Sequence, residues 1–315
     1  MITRLAMLEI FLRTVPFFAL IGLGYGAGRA GFFGPQATAA LTRFVFYFAL
    51  SAMLFGLSAN LGIAELLDWC AAAAYLWACM VVHALTMMIA FARGRPLTEA
   101  TIEAQCAIIG NTGFLGVPML VVLLGPESAA TVLLVLTIDL IVFSSLFTML
   151  ITYAREGRVS AALPRRLLVA VASNPMVMAM AAGLAWSMLG APVPGTINAF
   201  LTLLGAAATP CALFAIGASL ADKRAERLDV VGWLSFAKLV LHPVAVAVAA
   251  LWLFRVEPYV AGVLIAAAAL PVAGNVYILA QHYQVGPARV SAAILVSTVI
   301  SIATVPVVIA WVSGF

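Results

Sequence analysis

Long apolar segments make up most of the chain, and short polar connections separate them. A helix needs about 20 largely apolar residues to cross a bilayer, and ten segments meet that criterion. None of the connections is long enough to hold a soluble domain. The pattern therefore predicts an all-α membrane protein with ten transmembrane spans: Thr14 to Ala30, Ala37 to Ala59, Leu66 to Ala92, Glu103 to Leu124, Ala129 to Tyr153, Leu167 to Leu189, Thr196 to Leu220, Val230 to Phe254, Pro258 to Tyr283 and Pro287 to Val312.

The fourth and ninth spans contain residues that interrupt a helix. GNTGFLGVP runs from Gly110 to Pro118, and LPVAGN runs from Leu270 to Asn275. A helix broken at bilayer depth leaves backbone groups unpaired, which is tolerated only beside buried protein or a watery cavity. At about 1.5 Å per residue, both breaks lie near the middle of the bilayer. Two such breaks in corresponding halves predict a transporter binding site, although glycine and proline that only kink two helices are the alternative.

The second half of the sequence repeats the first. A constant offset of 159 residues aligns several positions, and the register then drifts by five, so that Gly110-Asn111 aligns with Gly274-Asn275. Each copy holds five spans, and because five is odd, the second copy must enter the membrane from the opposite side. The sequence predicts two inverted repeats, 1–159 and 160–315, from these matches: Pro16 with Pro175, Gly24 with Gly183, Gly31 with Gly190, Leu54-Phe55 with Leu213-Phe214, and His83 with His242.

Composition and charge support a multi-pass protein of the inner membrane. The chain is 65% hydrophobic and 9% charged, against roughly 25% charged residues in an average soluble domain. Cytoplasmic loops carry the excess of Lys and Arg. Three cations, Arg4, Arg13 and Arg255, lie on one side, which therefore faces the periplasm together with both termini. Nucleic-acid binding is disfavoured, because the excess of Lys and Arg reflects the orientation of the protein in the membrane. Twelve cations lie on the side that therefore faces the cytoplasm: Arg29, Arg43, Arg93, Arg95, Arg155, Arg158, Arg165, Arg166, Lys223, Arg224, Arg227 and Arg289.

The two breaks suit an anionic ligand. If the fourth and ninth spans cross, two half-helix N-termini face one cavity, and each carries about half a positive charge with free N–H groups. Asn111 and Asn275 would add uncharged hydrogen-bonding groups and cap the restarted half-helices. The predicted substrate site comprises the residues of the breaks and the nearby cation: Asn111, Thr112, Gly113, Pro118, Pro271, Gly274, Asn275 and Lys238.

Several ionisable residues lie within the predicted spans. Asp139 lies near mid-membrane, where an isolated carboxylate must be paired, protonated or in contact with water, so a proton or cation site is predicted and a structural ion pair is the alternative. Lys238 is its candidate partner or a point charge for the substrate, unless its long side chain snorkels to the interface. His83 and His242 are either packing residues or, for His242, part of proton coupling.

Other polar and small residues are predicted to be structural. Glu99 and Glu103 occupy the first turns of the fourth span, where acids favour a helix N-terminus. A small-residue face in the first span suits either a dimer contact or an intramolecular one; it consists of Gly22, Gly24, Gly26 and Gly28. Packed thiols, rather than a metal or disulfide site, are predicted for Cys70, Cys79, Cys106 and Cys211, which have no CxxC spacing.

The sequence resembles the auxin efflux carrier family, in the bacterial branch that includes malonate and malate permeases. The similarity covers nearly the whole chain and is strongest in GNTGFLGVP from Gly110, PVAGNVYILAQHY from Pro271 and ARVSAAILVSTVISIATVPVV from Ala288. It implies the ten-helix inverted-repeat fold related to bile acid transporters. Helices one, two, six and seven would form a scaffold, often the dimer side, and helices three to five and eight to ten would form a moving transport domain.

The resemblance also implies a site and a mechanism. In relatives, the crossing of helices four and nine holds an organic carboxylate, and the matching positions here are Asn111, Pro118, Pro271 and Asn275. Ser51 departs from the proline common at that place in helix two, whereas Pro210 keeps it in helix seven. The plant members carry a long cytoplasmic insertion, where this chain has only the residues from Ala154 to Arg166.

The sequence thus predicts an elevator-like secondary transporter for a small organic anion. No cofactor is expected, and the coupling ion would be H⁺ or Na⁺, because the chain has no nucleotide-binding motif. An enzyme is disfavoured, since HExxH, GxSxG and paired intramembrane carboxylates are absent from the sequence. A sodium or proton antiporter without an organic substrate is the alternative.

Overall fold

Helices form every regular element in the part of the chain that the structure describes. The computed structural model describes residues 4–62, 68–157, 163–221 and 228–314. Outside these ranges lie the predicted repeat boundary, the start of the predicted third span and four of the counted cations, Arg158, Lys223, Arg224 and Arg227. The described helices are α1 (Arg4–Arg29), α2 (Pro35–Ala59), α3 (Trp69–Ala92), α4 (Leu97–Ile108), α5 (Thr112–Leu124), α6 (Ser128–Glu156), α7 (Leu163–Ala172), α8 (Pro175–Met188), α9 (Gly195–Leu220), α10 (Asp229–Leu253), α11 (Pro258–Ala268), α12 (Gly274–His282) and α13 (Pro287–Val312).

Local sequence signals start these helices. Asp68 and Glu257 precede α3 and α11, and each carboxylate accepts a hydrogen bond from a backbone N–H in the first turn. Proline occupies the first turn of α2, α8, α11 and α13, where its missing N–H would have had no partner within the helix. Gly157 ends α6 in the left-handed conformation, with a φ of 67°, which glycine adopts without steric strain.

By length and composition, seven helices of the described residues could cross a membrane, or eight if α7 and α8 count as one bent span. Two apolar helices, α5 and α11, are shorter than a span needs. They belong to the predicted fourth and ninth spans, which are each divided into two pieces, α4 with α5 and α11 with α12. The chain is therefore an all-α membrane protein in which some predicted spans are not continuous helices.

The predicted sixth span, Leu167 to Leu189, is wrong as a single straight helix. The chain bends by 74° between α7 and α8. The cause is local, because the Asn174 side chain accepts hydrogen bonds from the N–H groups of Met176 and Val177 at 3.0 and 3.4 Å, and Pro175 follows it at the start of α8. This Asn-Pro pair begins a new helix inside a run that hydropathy reads as continuous.

The helices pack in two groups. The first joins α1, α2, α8 and α9, and the second joins α3, α4, α6, α10, α11 and α13; the two groups meet where α1 packs against α13. In the second group, every residue of α4 from Ala100 to Ile108 and of α11 from Ala261 to Ala268 is buried. Large apolar side chains such as Leu203 and Trp252 are instead 78% and 72% exposed, as expected for surfaces in contact with lipid.

The glycines of α1 lie on two faces rather than one. A Cβ at Gly24 would lie 2.1 Å from the Phe214 carbonyl oxygen, and one at Gly28 would lie 2.6 Å from the Ala221 Cβ, so both pack directly on the end of α9. At Gly22 and Gly26 nothing lies within 4 Å of such a Cβ. The predicted single face is wrong, because residues two apart on a helix point in nearly opposite directions; one glycine pair makes an intramolecular contact and the other is open.

Candidate functional site

The two helix breaks lie side by side and bond to each other. The Asn111 N–H donates to the Pro271 carbonyl at 2.8 Å, and the Ala273 N–H donates to the Ile109 carbonyl at 3.1 Å. These bonds form an antiparallel bridge between Gly110 and Val272. Backbone groups that lost their helical partners are thereby satisfied inside protein, as hydrocarbon requires.

Neighbouring helices complete this junction. The Val272 N–H donates to Ser297 Oγ of α13 at 3.1 Å. A Cβ at Gly116 would lie 2.6 Å from a methyl group of Leu270, so the two breaks also touch through their flanking residues. The sequence allows this contact because Gly116 has no side chain to displace Leu270.

The two restarted half-helices differ in how open they are. A Cβ at Gly113 would lie 2.7 Å from the Met176 methyl group of α8 and 3.8 Å from Leu50 of α2, so the start of α5 is packed against the first helix group. Gly274, at the start of α12, is exposed, and a Cβ added there would have no neighbouring atom within 4 Å. The α12 N-terminus is therefore the end that a ligand can approach.

The asparagines do not cap these half-helices, contrary to the prediction. Asn111 precedes α5 but makes no capping hydrogen bond, and α12 starts after Ala273, which places Asn275 inside its first turn. The Oδ1 of Asn275 and the Oγ1 of Thr112 are buried and have no hydrogen-bond partner. Because an unpaired buried polar atom is destabilising, both atoms are suited to a ligand: the Asn275 Oδ1 can accept a hydrogen bond, and the Thr112 hydroxyl can accept or donate one.

The two prolines of the predicted site act through the backbone. Pro271 is buried, and its carbonyl is the acceptor for Asn111. Pro118 is buried in α5, at the start of its α-helical part. Because α5 begins at Thr112, this proline removes one N–H donor inside the helix, where its π-helical turn passes into the α-helical part. Both prolines shape the junction and offer no side-chain polar group to a ligand.

Lys238 lies directly beside the junction. Its side chain is fully buried, so the snorkelling alternative is wrong. The ammonium group donates to the carbonyl of Ala268, the last residue of α11, and lies 3.0 Å from His242 Nδ1. A Cβ at Gly110 would lie 3.3 Å from Nζ. The cation therefore neutralises the negative C-terminal end of half-helix α11. It also lies beside Gly110, one of the residues at which the fourth span is broken.

Asp139 is also buried, at 2% exposure. Its Oδ1 accepts a hydrogen bond from the Tyr75 hydroxyl at 3.0 Å, and its Oδ2 has no hydrogen-bond partner. Among the described ion pairs, none joins Asp139 to Lys238. The direct partnership that the sequence suggested is therefore wrong, and Asp139 keeps one carboxylate oxygen free.

Two α3 residues that sequence reasoning missed lie between these charges. Cys79 Sγ is 3.1 Å from His242 Nε2, and the rings of Tyr75 and His242 are 5.8 Å apart between centroids. A polar path thus runs from Asp139 through Tyr75, Cys79 and His242 to Lys238. The signal was present, because Tyr75, Cys79 and His83 are spaced four apart and share one helix face.

The remaining predicted residues are resolved as follows. His83 is buried and its Nε2 has no hydrogen-bond partner, so the expected packing bond to a neighbouring helix is not seen on that atom.

The four cysteines are free thiols. Cys79 and Cys106 are buried as predicted, whereas Cys70 is exposed. In the described ranges, no group of three potential metal ligands comes together.

Glu99 and Glu103 are structural, through ion pairs. Glu103 is fully buried and pairs with both Arg93 and Arg289, the latter at 2.8 Å. Glu99 pairs with Arg289 at 3.0 Å and with Arg95 at 3.5 Å. This five-residue cluster links the end of α3, the start of α4 and the start of α13. Glu99 and Glu103 therefore do more than stabilise the N-terminus of α4.

Known proteins match the chain along almost its whole length. A family model described as "Membrane transport protein" matches residues 9–309. A Rhizobium meliloti (strain 1021) protein named "Putative malonate transporter" is 32% identical over 306 residues, which cover 95% of this chain and 94% of that protein. The "Uncharacterized transporter YfdV" of Escherichia coli (strain K12) is 25% identical over 301 residues, covering 93% and 94%. The matched region contains both helix breaks and every candidate residue described above.

Proposed function

Because the chain belongs to the membrane transport protein family, as its resemblance to the auxin efflux carriers predicted, we propose that it carries a small organic anion across the bacterial inner membrane. Proteins of this family are transporters, so the chain is not an enzyme. The proposed substrate class is a mono- or dicarboxylate. The name of the Rhizobium relative makes malonate the first compound to test, and malate is the second.

The observation that carries this proposal is the junction of the two breaks. The open N-terminus of α12 presents backbone N–H groups and a partial positive charge to an anion. Asn275 and Thr112 add buried polar atoms without partners, and Lys238 lies beside the junction, next to Gly110. A carboxylate at this position would gain hydrogen bonds from the Thr112 hydroxyl and from the backbone N–H groups that start α12.

The proposed architecture is ten spans in two inverted repeats, 1–159 and 160–315. Matched glycine contacts support the repeat. A Cβ at Gly24 would meet the Phe214 carbonyl and the Ala218 N–H at 2.1 and 3.0 Å, and one at Gly183 would meet the Phe55 carbonyl and the Ala59 N–H at 2.6 and 3.0 Å. The positions in the two contacts correspond, since Gly24 and Gly183, Phe55 and Phe214, and Ala59 and Ala218 each lie 159 residues apart. Both termini would then face the periplasm.

The proposed mechanism is an elevator-like movement of one helix group past the other. The scaffold would comprise α1, α2 and α7 to α9, and the transport domain would comprise α3 to α6 and α10 to α13. The packed contact of Gly113 with Met176 and Leu50 puts the substrate junction at the boundary between the two groups, which supports this division. The open face of Gly22 and Gly26 suits a homodimer through the scaffold.

Coupling to H⁺ or Na⁺ is proposed at Asp139, with His242 as the second titrating group. The free Oδ2 of Asp139 supports this role, because a buried carboxylate oxygen without a partner has capacity for a proton or a cation. The same observation favours the second candidate function, a sodium or proton antiporter without an organic substrate. The two candidates differ in whether a carboxylate crosses the membrane.

Counterflow of labelled malonate in proteoliposomes, measured with and without sodium and proton gradients, tests the proposal. We expect uptake to depend on internal unlabelled carboxylate. Asn111→Ala and Asn275→Ala should each weaken carboxylate binding by about tenfold, the effect of removing one hydrogen bond to a charged group. Asn198→Ala is the matched control, since Asn198 is exposed on α9 and lies outside the junction.

Two results would contradict the proposal. Wild-type dissociation constants in both junction variants would refute the binding site. Ion exchange without counterflow of malonate, malate or any other tested carboxylate would favour the antiporter instead.

A further inference from the structure

A cavity lies at the end of α12 opposite to the junction. It has a volume of about 470 Å³ and opens between the end of α6, the middle of α7 and the end of α12. Its charged and aromatic lining consists of Arg155, Glu156, Arg166, His282 and Tyr283. The proposed transport path uses none of these residues, so the cavity needs an explanation of its own.

The lining carries a net positive charge. Arg155 donates to the Tyr283 carbonyl and its guanidinium lies 5.7 Å from the centre of the Tyr283 ring; it has no ion pair among the described residues. Arg166 pairs with Glu156 at 3.0 Å, but both side chains are substantially exposed, and such pairs hold each other weakly. Two guanidinium groups therefore face one carboxylate, which suits an anionic ligand.

Apolar surface adjoins this cationic lining. If α8 crosses the membrane, the 74° bend places α7 close to the membrane plane. The α7 sequence combines Arg165 and Arg166 with exposed apolar residues. Val169, which is 55% exposed, lies three residues after Arg166 and therefore on the same side of the helix. A helix of this kind, with basic and apolar residues and lying along the surface, sits at the boundary between headgroups and acyl chains.

We infer that this cavity binds the headgroup of an anionic phospholipid, with the phosphodiester on Arg155 and Arg166 and an acyl chain along Val169. The cavity lies on the membrane face that the Lys and Arg distribution assigns to the cytoplasm, where anionic lipids attract basic residues. A soluble anion would satisfy the arginines but would leave the adjoining apolar surface without a partner.

A lipid in this cavity would also influence transport, an inference that rests on the proposed function. The cavity joins α7 of the proposed scaffold to α6 and α12 of the proposed transport domain. A lipid bound there would contact both sides of the sliding boundary, so its departure or rearrangement would accompany each movement of the transport domain. Anionic lipid would therefore change the transport rate without touching the substrate.

Lipid binding is tested on the purified chain by native mass spectrometry, with phosphatidylglycerol, phosphatidylcholine and soluble glycerol 3-phosphate as separate probes. We expect phosphatidylglycerol to bind and the other two to bind much more weakly. Arg155→Gln combined with Arg166→Gln should weaken phosphatidylglycerol binding by about 30-fold, from roughly 1 kcal/mol for each arginine at the membrane surface. Arg43→Gln removes an exposed cation outside the cavity and should leave binding unchanged.

Three outcomes would overturn the inference: unchanged binding in the double variant, equal binding of phosphatidylcholine, or equal binding of glycerol 3-phosphate, which would indicate a soluble phosphate ester. If Arg155→Gln disturbs α12 through Tyr283, Arg166→Gln alone remains decisive, because its described partner is only the exposed Glu156. The readout needs no transport activity, so lipid binding without counterflow of any tested carboxylate would refute the proposed function and leave the lipid site intact.

Discussion

Replacing Gly24 with alanine should destabilise the protein through a direct backbone clash. The added Cβ would lie 2.1 Å from the Phe214 carbonyl oxygen of α9, whereas an ordinary carbon–oxygen contact is about 3.3 Å. The helices α1 and α9 would have to separate by the difference, about 1.2 Å. Because the obstacle is backbone, no side-chain rotation can relieve the clash, and overpacking of this kind costs about 1–3 kcal/mol.

The companion change Gly183→Ala should act in the same way and less strongly. Its Cβ would lie 2.6 Å from the Phe55 carbonyl oxygen, so α8 and α2 would need to move apart by about 0.7 Å. Gly22→Ala and Gly26→Ala are matched controls on the same helix as Gly24, since nothing lies within 4 Å of either added Cβ. Alanine in those helical positions should be neutral or stabilising by about 0.5–1 kcal/mol.

Thermal unfolding of the purified variants in one detergent provides the assay. At about 2–4 °C for each kcal/mol in a chain of moderate size, Gly24→Ala should lower Tm by several degrees, Gly183→Ala should lower it by less, and the controls should not lower it. Equal Tm values for Gly24→Ala and Gly22→Ala would refute the reasoning, since they would mean that α1 does not meet α9 at Gly24.

Three further predictions concern the buried charges. Asp139→Asn should abolish pH-driven uptake in proteoliposomes while substrate binding remains measurable; unchanged uptake would exclude Asp139 as the coupling site. Tyr75→Phe should cost about 1–3 kcal/mol by leaving both Asp139 oxygens unpaired and should shift the pH profile of uptake; a wild-type pH profile in Tyr75→Phe would show that Tyr75 does not act through Asp139. Arg289→Gln should cost about 1.5–3 kcal/mol, because the fully buried Glu103 loses one of its two charged hydrogen-bond donors and keeps Arg93; a Tm equal to that of the exposed-site variant Arg43→Gln would show that the pair contributes nothing.

The sequence was most informative where a residue conflicts with its surroundings. Gly110, Asn111 and Pro271 stand out in apolar runs because a continuous helix would exclude them, and the structure shows that the chain leaves helical geometry at these positions. Asp139 and Lys238 stand out because charge in a span requires a reason. In each case the residue type alone carries the signal.

What the sequence could not supply was the choice of partner. Tyr75 and Cys79 look like ordinary apolar helix residues until α10 brings His242 against them. Lys238 has two plausible destinations in the sequence, and only the packing of α11 selects the Ala268 carbonyl. Hydropathy reports how apolar a segment is and not which face meets which neighbour, so contacts between distant helices stay hidden.

The Asn174–Pro175 break was missed for a different reason. Its signal is local and readable, since an asparagine followed by proline starts a helix, but the apolar run around it is long enough to suggest one continuous span. For Asn275 the sequence suggested a local role that the structure does not show. Its pairing with Asn111 in the repeat suggested a common capping role, whereas the structure starts α12 one residue before it.

The bridge between Gly110 and Val272 also constrains how this protein is made. Its two sides come from segments about 160 residues apart, and the N–H and C=O groups that they exchange have no helical partners of their own. While the chain is being made, the first segment is therefore complete before the groups that pair with it exist. Until the second segment is synthesised, the break between α4 and α5 needs another hydrogen-bonding partner, such as water or a neighbouring helix.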